Sequence, residues 1–193
     1  MEIKPTFGLV VEGVYDEAAL PELIQKCIAV HPEVVARPCG GSISILNKFP
    51  GLLEGFRHVK QGTHVDKALV IRDSNGKDPN ELIQRMQSKI SNRNYLYPVK
   101  FVVIVRELET WLLADDQAIS EVTQQYSGRT VAAINETLED IVAPKERLKQ
   151  LLSDARVPYA REVARKIAAT VDIERLTYRC PGFRRFQVAV HDC

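Results

Sequence analysis

Acidic residues recur in this chain directly after stretches that read as strands. Glu12, Gly13, Val14, Tyr15 and Asp16 follow FGLVV, Arg72 to Asp78 (RDSNGKD) follow ALVI, and Arg106, Glu107, Leu108 and Glu109 follow FVVIV. In open parallel sheets the ligand crevice lies beyond the carboxyl ends of the strands. Three segments therefore deliver carboxylates to one edge. Carboxylates a few ångströms apart raise one another's pKa, and a hard divalent cation removes that cost. Oxygen donors with no nearby Cys or His pair point to Mg²⁺ or Mn²⁺ rather than zinc. Such a site commonly handles phosphates, the cation polarising phosphoryl oxygens and activating water, with Arg72, Lys77 and Arg106 placed to steady the phosphate. Any one of these acids taken alone is ordinary turn or helix-cap chemistry; the joint pattern after three strands favours a metal site. A helix starting near Glu107 would point Glu107 and Glu109 in different directions, so Glu109 is the one expected to face the crevice.

Other chemistries find less support. The four cysteines, Cys27, Cys39, Cys180 and Cys193, are scattered without a CxxC or a Cys/His pair, which argues for reduced thiols and against structural zinc. The four histidines, His31, His58, His64 and His191, form no HExxH or HxH group. Neither GxGxxG nor GxxxxGK[ST] occurs, and Glu12 stands where a pyrophosphate would have to approach. No GxSxG elbow is present for a Ser-His-Asp hydrolase.

The elements that must position the acids follow from the hydrophobic pattern. Strands are expected at Phe7–Val11, Val34–Pro38, Ala68–Ile71 and Phe101–Val105, all but the second being continuous β-branched runs of the kind buried on both faces. Between them, three- and four-residue apolar spacing predicts helices over Asp16–Val30 and Asn80–Ile90, with Asp16 and Asn80 as N-caps. Gly40, Gly41 and Ser42 would open another helix through Ile43, Ile45, Leu46 and Phe49, with Pro50 stopping it. After Trp111 the pattern turns helical, with segments at Val122–Tyr126, Lys145–Leu152, Tyr159–Ala169 and Gly182–Val190 and prolines at the junctions. The expected architecture is α/β, a largely parallel Rossmann-like sheet flanked by helices over residues 1–115, then a helical C-terminal extension, 116–193, packed on it.

The chain's 193 residues, 45% hydrophobic and 26% charged, are those of a globular domain. The longest apolar run, Phe101–Val105, falls far short of the roughly 20 residues of a membrane span, and the start MEIKPTFG has no basic leader region. No membrane association and a cytoplasmic location are the expectations. The net charge of +1 conceals an asymmetry: residues 1–140 carry 15 Lys/Arg against 19 Asp/Glu, and residues 141–193 carry 11 against 6. A basic C-terminal region beside an acidic core suits a phosphate-rich partner, or simply solvated helix faces. Phe183, Arg184, Arg185 and Phe186 offer aromatic and cationic contacts to nucleic acid; equally, the phenylalanines of an amphipathic last helix would pack inward. Trp111, Leu112 and Leu113 read as core.

LVVEGVYDEAAL followed by ALVIRDSNGKD resembles the two signature segments of the Toprim fold, the metal-binding domain of topoisomerases, primases and OLD-type nucleases. More closely, VEGVYDEAALPELI, the GGS step, VIRDSNG, VRELETWLLAD and CPGFRRFQVAV resemble the bacterial Toprim-like family catalogued as domain of unknown function 4276, over nearly the whole chain. By that resemblance Glu12 is the Toprim glutamate, a metal ligand or general acid/base, and Asp73 the first aspartate of the DxD pair. Asp16 matches an acid that some OLD-type nucleases use for a second metal. The pattern departs at the second aspartate, which is Asn75 here; its carbonyl still ligates Mg²⁺, with one negative charge fewer. Either Asp78, the nearby acid, would substitute for it, or activity would be reduced or absent.

These readings lead to the expectation of a Mg²⁺-dependent nuclease acting on DNA or RNA. Glu12, Asp73 and Lys77 would be catalytic, Glu12, Asp16, Asp73, Asn75 and Glu109 would hold metal, and Arg72, Arg106, Arg184 and Arg185 would contact nucleic acid. The alternative is a non-catalytic, degenerate Toprim subunit binding nucleic acid or a separately encoded ATPase, since OLD-type nucleases carry an ATPase and no Walker motif occurs here. Such a partner would place the protein in anti-phage defence or genome maintenance. A small-molecule phosphohydrolase is a third possibility.

Overall fold

Two of the apolar runs, Phe7–Val11 and Ala68–Ile71, are buried from end to end, as suits central parallel strands, and a third, Phe101–Val105, is buried only from Val102 to Ile104. In the computed structural model, which describes residues 4–59 and 64–192, the first two form the middle of a four-stranded sheet and the third one of its edges. In chain order the elements are β1 (Thr6–Val11), α1 (Val14–Cys27), β2 (Glu33–Pro38), α2 (Ser42–Glu54), β3 (Lys67–Asp73), α3 (Pro79–Ile90) and β4 (Val99–Ile104). There follow α4 (Leu108–Leu112), α5 (Asp116–Ser127), α6 (Pro144–Asp154), α7 (Arg161–Thr170), α8 (Ile173–Arg179) and α9 (Phe183–His191), with single 3₁₀ turns at Gly55–His58 and Leu138–Asp140. All strand pairs are parallel and the order is β2-β1-β3-β4. The expected α/β architecture with C-terminal helices is therefore the one observed.

Strand alternation divides the core into two layers. Phe7, Leu9, Val11, Leu69, Ile71, Val102 and Ile104 point to one face, where α1 and the helices after β4 cover them. Val10, Ala68, Val70 and Val103 point to the other, against α2, α3 and Phe56. Gly8 belongs to that second face, and a Cβ there would lie 2.6 Å from the Phe56 ring. The α7 helix is tied to α1 by Arg165–Glu22 (2.9 Å) and Arg161–Glu17 (3.4 Å). Phe183 and Phe186 of α9 are fully buried, with Phe183 edge-on to Trp111 at 4.9 Å.

Several local expectations need correction. Asp16 does not cap α1; Gly13 is the extended N-cap residue, and Asp16 lies in the first turn, its Oδ2 accepting the Gly13 N–H at 2.9 Å. Asn80 is likewise inside α3. The cap is Asp78, whose Oδ1 accepts from the amides of Asn80 (2.7 Å) and Glu81 (3.4 Å), with Pro79 at the position where its missing N–H costs nothing. Pro50 does not stop α2, which continues to Glu54 because Phe49, Pro50 and Leu53 are all buried against the sheet. The helices α4 and α8 are too short for a periodic signal. Cys27, Cys39 and Cys180 are free thiols, while Cys193 lies outside the described residues. Among the described residues no helix is long and apolar enough to cross a membrane.

Candidate functional site

Because all strands are parallel, the ends of β1, β3 and β4 open on the same edge, and the segments that follow them form two adjoining clefts. The first, of about 240 Å³, is lined by Glu12, Asp16, Asp73, Glu107 and Glu109, with Tyr15, Asn75 and Lys145. Five acids from three strand ends thus meet in one concavity.

Each acid is held by local structure. Glu12 follows β1 beside Asp73 at the end of β3; the Asp73 N–H reaches Glu12 Oε1 at 3.3 Å, and Arg72 Nε lies 3.7 Å from the same oxygen. Asp16 is held by Gly13, as described above. Glu109, in the first turn of α4 and 3% exposed, accepts the Tyr159 hydroxyl at 2.9 Å on Oε1, with Lys145 Nζ 3.7 Å away. Glu107 is the N-cap residue of α4 in extended conformation (φ −138°), and its Oε2 accepts the Lys145 N–H at 3.1 Å. The helical spacing that would separate Glu107 from Glu109 therefore does not apply, and both line the cleft.

Asn75 sits in a tight turn, Ser74 to Lys77, closed by Lys77 N–H to Ser74 O at 3.0 Å. Asn75 (φ 49°) and Gly76 (φ 80°) are both left-handed there, a conformation Asn and Gly adopt most readily. The turn is fixed to the end of β4, since Arg106 N–H donates to Ser74 Oγ at 2.8 Å and Asn75 N–H to Arg106 O at 3.0 Å. Asp78, committed to capping α3, lines neither cleft, so it does not take the place of the second aspartate that the resemblance led one to expect.

Crowding and burial dominate the electrostatics. Burial raises the Asp73 carboxyl well above the usual range, and the neighbouring Asp16, Glu12, Glu109 and Glu107 raise it further. Asp16 is pushed up to about 7, first by burial and then by Glu109. Glu12 is raised by burial, although Arg72 and the Asp73 amide oppose the shift. Glu109 is raised by burial against the pull of Lys145 and Tyr159. Asp73 Oδ1 is sealed from solvent without any hydrogen-bond partner, an arrangement that costs on the order of 1–3 kcal/mol unless something satisfies it.

The donor set is all oxygen, which suits Mg²⁺ or Mn²⁺. Among the described residues, however, no three Asp, Glu, His or Cys side chains already stand close enough to hold an ion together. The acids share a cleft without forming a closed cage, and ligation would require side-chain rotation.

The second cleft, of about 370 Å³, shares Ser42 and Asn75 with the first wall and lies between α2 and α3. Strand alternation explains the division: Asp73 shares the α1 side of β3 with Leu69 and Ile71, whereas Arg72 shares the α2–α3 side with Ala68 and Val70. Arg72 and Lys77 line this second cleft rather than the acidic one. Arg106 lines neither; its Nε points to Glu139 O at 3.4 Å. Arg184 and Arg185 are exposed on α9 away from both clefts, while the adjacent Phe183 and Phe186 are core, so the inward-packed form of the last helix is the one adopted.

Lys145 and Tyr159 had no sequence signal, because they come from α6 and the loop before α7, far from the acids in sequence. Tyr15 and Tyr159 stack at 4.9 Å, and Lys145 Nζ lies 4.6 Å from the Tyr15 ring centre, closing one side of the acidic cleft. No curated protein and no solved structure gives a significant match to this chain. A family model described as domain of unknown function (DUF4276) matches residues 11–190, a span that includes every residue of both clefts, and the chain belongs to that family.

Proposed function

We propose that the protein is a Toprim-like, metal-dependent phosphodiesterase acting on DNA or RNA. The observation that carries this reading is the acidic cleft itself: buried carboxylates from three parallel strand ends, one with an unpartnered oxygen, in an arrangement that a hard cation would relieve. Glu12, Asp16 and Asp73 would hold Mg²⁺ or Mn²⁺, with the Asn75 carbonyl and Glu109 in reach of the same cleft. When bound, the cation supplies charge neutralisation and lowers the pKa of water. Glu12, raised by burial and fixed through Oε1 by Arg72 and the Asp73 amide, would take the proton of the attacking water at Oε2. Lys145 would offset charge developing on the phosphate, and Tyr15 and Tyr159 would exclude bulk water from that side. Lys77 would act from the neighbouring cleft.

The experiment is calorimetric titration of Mg²⁺ and Mn²⁺ into wild type and Asp73→Ala, followed by cleavage assays on plasmid DNA and a folded RNA. Metal binding lost in the variant, with cleavage by wild type that Glu12→Ala/Asp73→Ala abolishes, is the expected result. Cleavage retained by the double variant would overturn the assignment.

The second reading, a non-catalytic subunit that binds nucleic acid or a separately encoded ATPase in anti-phage defence or genome maintenance, is favoured by Asn75 and by the absence of a closed cage among the described acids. Absence of metal binding at millimolar concentration would select it. Either activity would be carried out in the cytoplasm.

A further inference from the structure

The acidic cleft accounts for the carboxylates at the strand ends but leaves the second cleft unexplained. Arg72, Lys77, Arg85 and Lys89 line it, and no carboxylate does. Arg85 and Lys89 lie with Leu82 on one face of α3, at spacings of three and four residues, and both are exposed. Arg72 is 5% exposed, and its Nη1 is buried with no hydrogen-bond partner. A guanidinium N–H left unpaired at that depth costs free energy that an anion in the cleft would return.

The opposite wall is the N-terminus of α2. Gly40 and Gly41 donate their amides to Glu12 O, at 3.0 and 2.8 Å, and the first helical carbonyl, Gly41 O, accepts from Ser44 and Ile45. The amides of Ser42 and Ile43 precede any helical acceptor, and both residues line the cleft. A helix N-terminus carries partial positive charge and presents N–H groups to anions. Arg72 and the first two residues of α2 thus line one and the same cleft.

We propose that this cleft binds a phosphate group of a nucleic-acid strand, adjacent to the phosphodiester presented to the acidic cleft. Arg72 and the Ser42 and Ile43 amides contact the phosphate oxygens, and Lys77, Arg85 and Lys89 supply the surrounding charge. The shared wall of Ser42 and Asn75 sets the two positions side by side, so one strand passes from the basic cleft to the acidic one. The nucleic-acid part of this inference rests on the function proposed above. The phosphate site itself does not require metal or cleavage.

The test uses the full chain in EDTA, with inorganic pyrophosphate and a fluorescent single-stranded oligonucleotide as probes. Pyrophosphate is expected to move the NMR signals of the Ser42 and Ile43 amides and the Arg72 side chain. The charge reversal Arg85→Glu/Lys89→Glu, confined to exposed positions on α3, is expected to weaken oligonucleotide binding about 10-fold or more and to flatten its salt dependence. Pyrophosphate shifts located elsewhere, or binding unchanged in the double variant, would overturn the site. Pyrophosphate binding that the oligonucleotide fails to displace would overturn the strand and leave a site for small phosphates. If metal-dependent cleavage is absent while both probes bind as expected, the nuclease reading fails and the phosphate site stands.

Discussion

At the residue scale the acidic cleft is costly without a cation, and that cost is measurable. Asp16, raised to about 7, and Asp73, raised well above the usual range by burial and its acidic neighbours, hold protons in the folded state that the unfolded chain releases at ordinary carboxylate pKa values. The folded form therefore binds more protons between roughly pH 4 and 7, and stability of the metal-free protein should fall as pH rises through that window and stay low above it. Asp73→Asn is expected to remove much of this dependence and to stabilise the metal-free protein at pH 8 by about 1–3 kcal/mol while removing metal binding. Urea unfolding at several pH values checks this, and a variant with the wild-type pH slope would contradict it. Asn75→Asp restores a second acid at an exposed position whose left-handed backbone Asp tolerates. If the cleft holds a cation as proposed, the change should tighten Mg²⁺ binding by about 10-fold, read by calorimetry, since the added charge lines the acidic cleft with little new desolvation. Of these residues Glu12, Asp73 and Glu109 were legible from their positions after strands, and Asp16 and Asn75 entered only through the family resemblance. Lys145 and Tyr159 were not, because no local pattern encodes which distant helix closes a cleft.

At the element scale the 3₁₀ turn at Gly55–His58 approaches β1 closely through Phe56. Gly8→Ala puts a methyl 2.6 Å from the Phe56 ring, which is itself fully buried. Overpacking of that kind should destabilise by about 1–3 kcal/mol, seen as a lower melting temperature, and a variant as stable as wild type would show that Phe56 repacks freely. The strands themselves followed from β-branched runs, whereas helix ends did not. Asp78 and Asn80 both qualify by residue type as the cap of α3, and Asp78 takes the role because its carboxylate reaches two free amides at once. Pro50 shows the same limit, since burial of its neighbours outweighs its missing N–H.

At the scale of the whole molecule, the helices after β4 belong to the same apolar layer as one face of the sheet, and α6 and the loop before α7 also bring Lys145 and Tyr159 to the acidic cleft. Packing there centres on Trp111, whose ring meets Phe183 at 4.9 Å and Phe186 at 5.2 Å. Phe186→Ala should cost about 3–5 kcal/mol. Trp111 is the sole tryptophan of the chain, so fluorescence-detected denaturation reports directly on this contact. A loss below about 1 kcal/mol would mean that α9 contributes little to the core.

The sequence by itself determined the parallel sheet, the strand ends that carry acids, and the buried character of Trp111, because β-branched runs and periodic apolar spacing are local and depend on few alternatives. It also carried the family, through short segments in a fixed order. Tertiary structure alone decided that Glu107 and Glu109 share one cleft, that Arg72 and Asp73 serve two different clefts, and that Asp78 is spent on a helix cap. Those outcomes depend on strand alternation relative to neighbouring helices and on contacts between residues far apart in the chain, neither of which is expressed in the identity of any one residue.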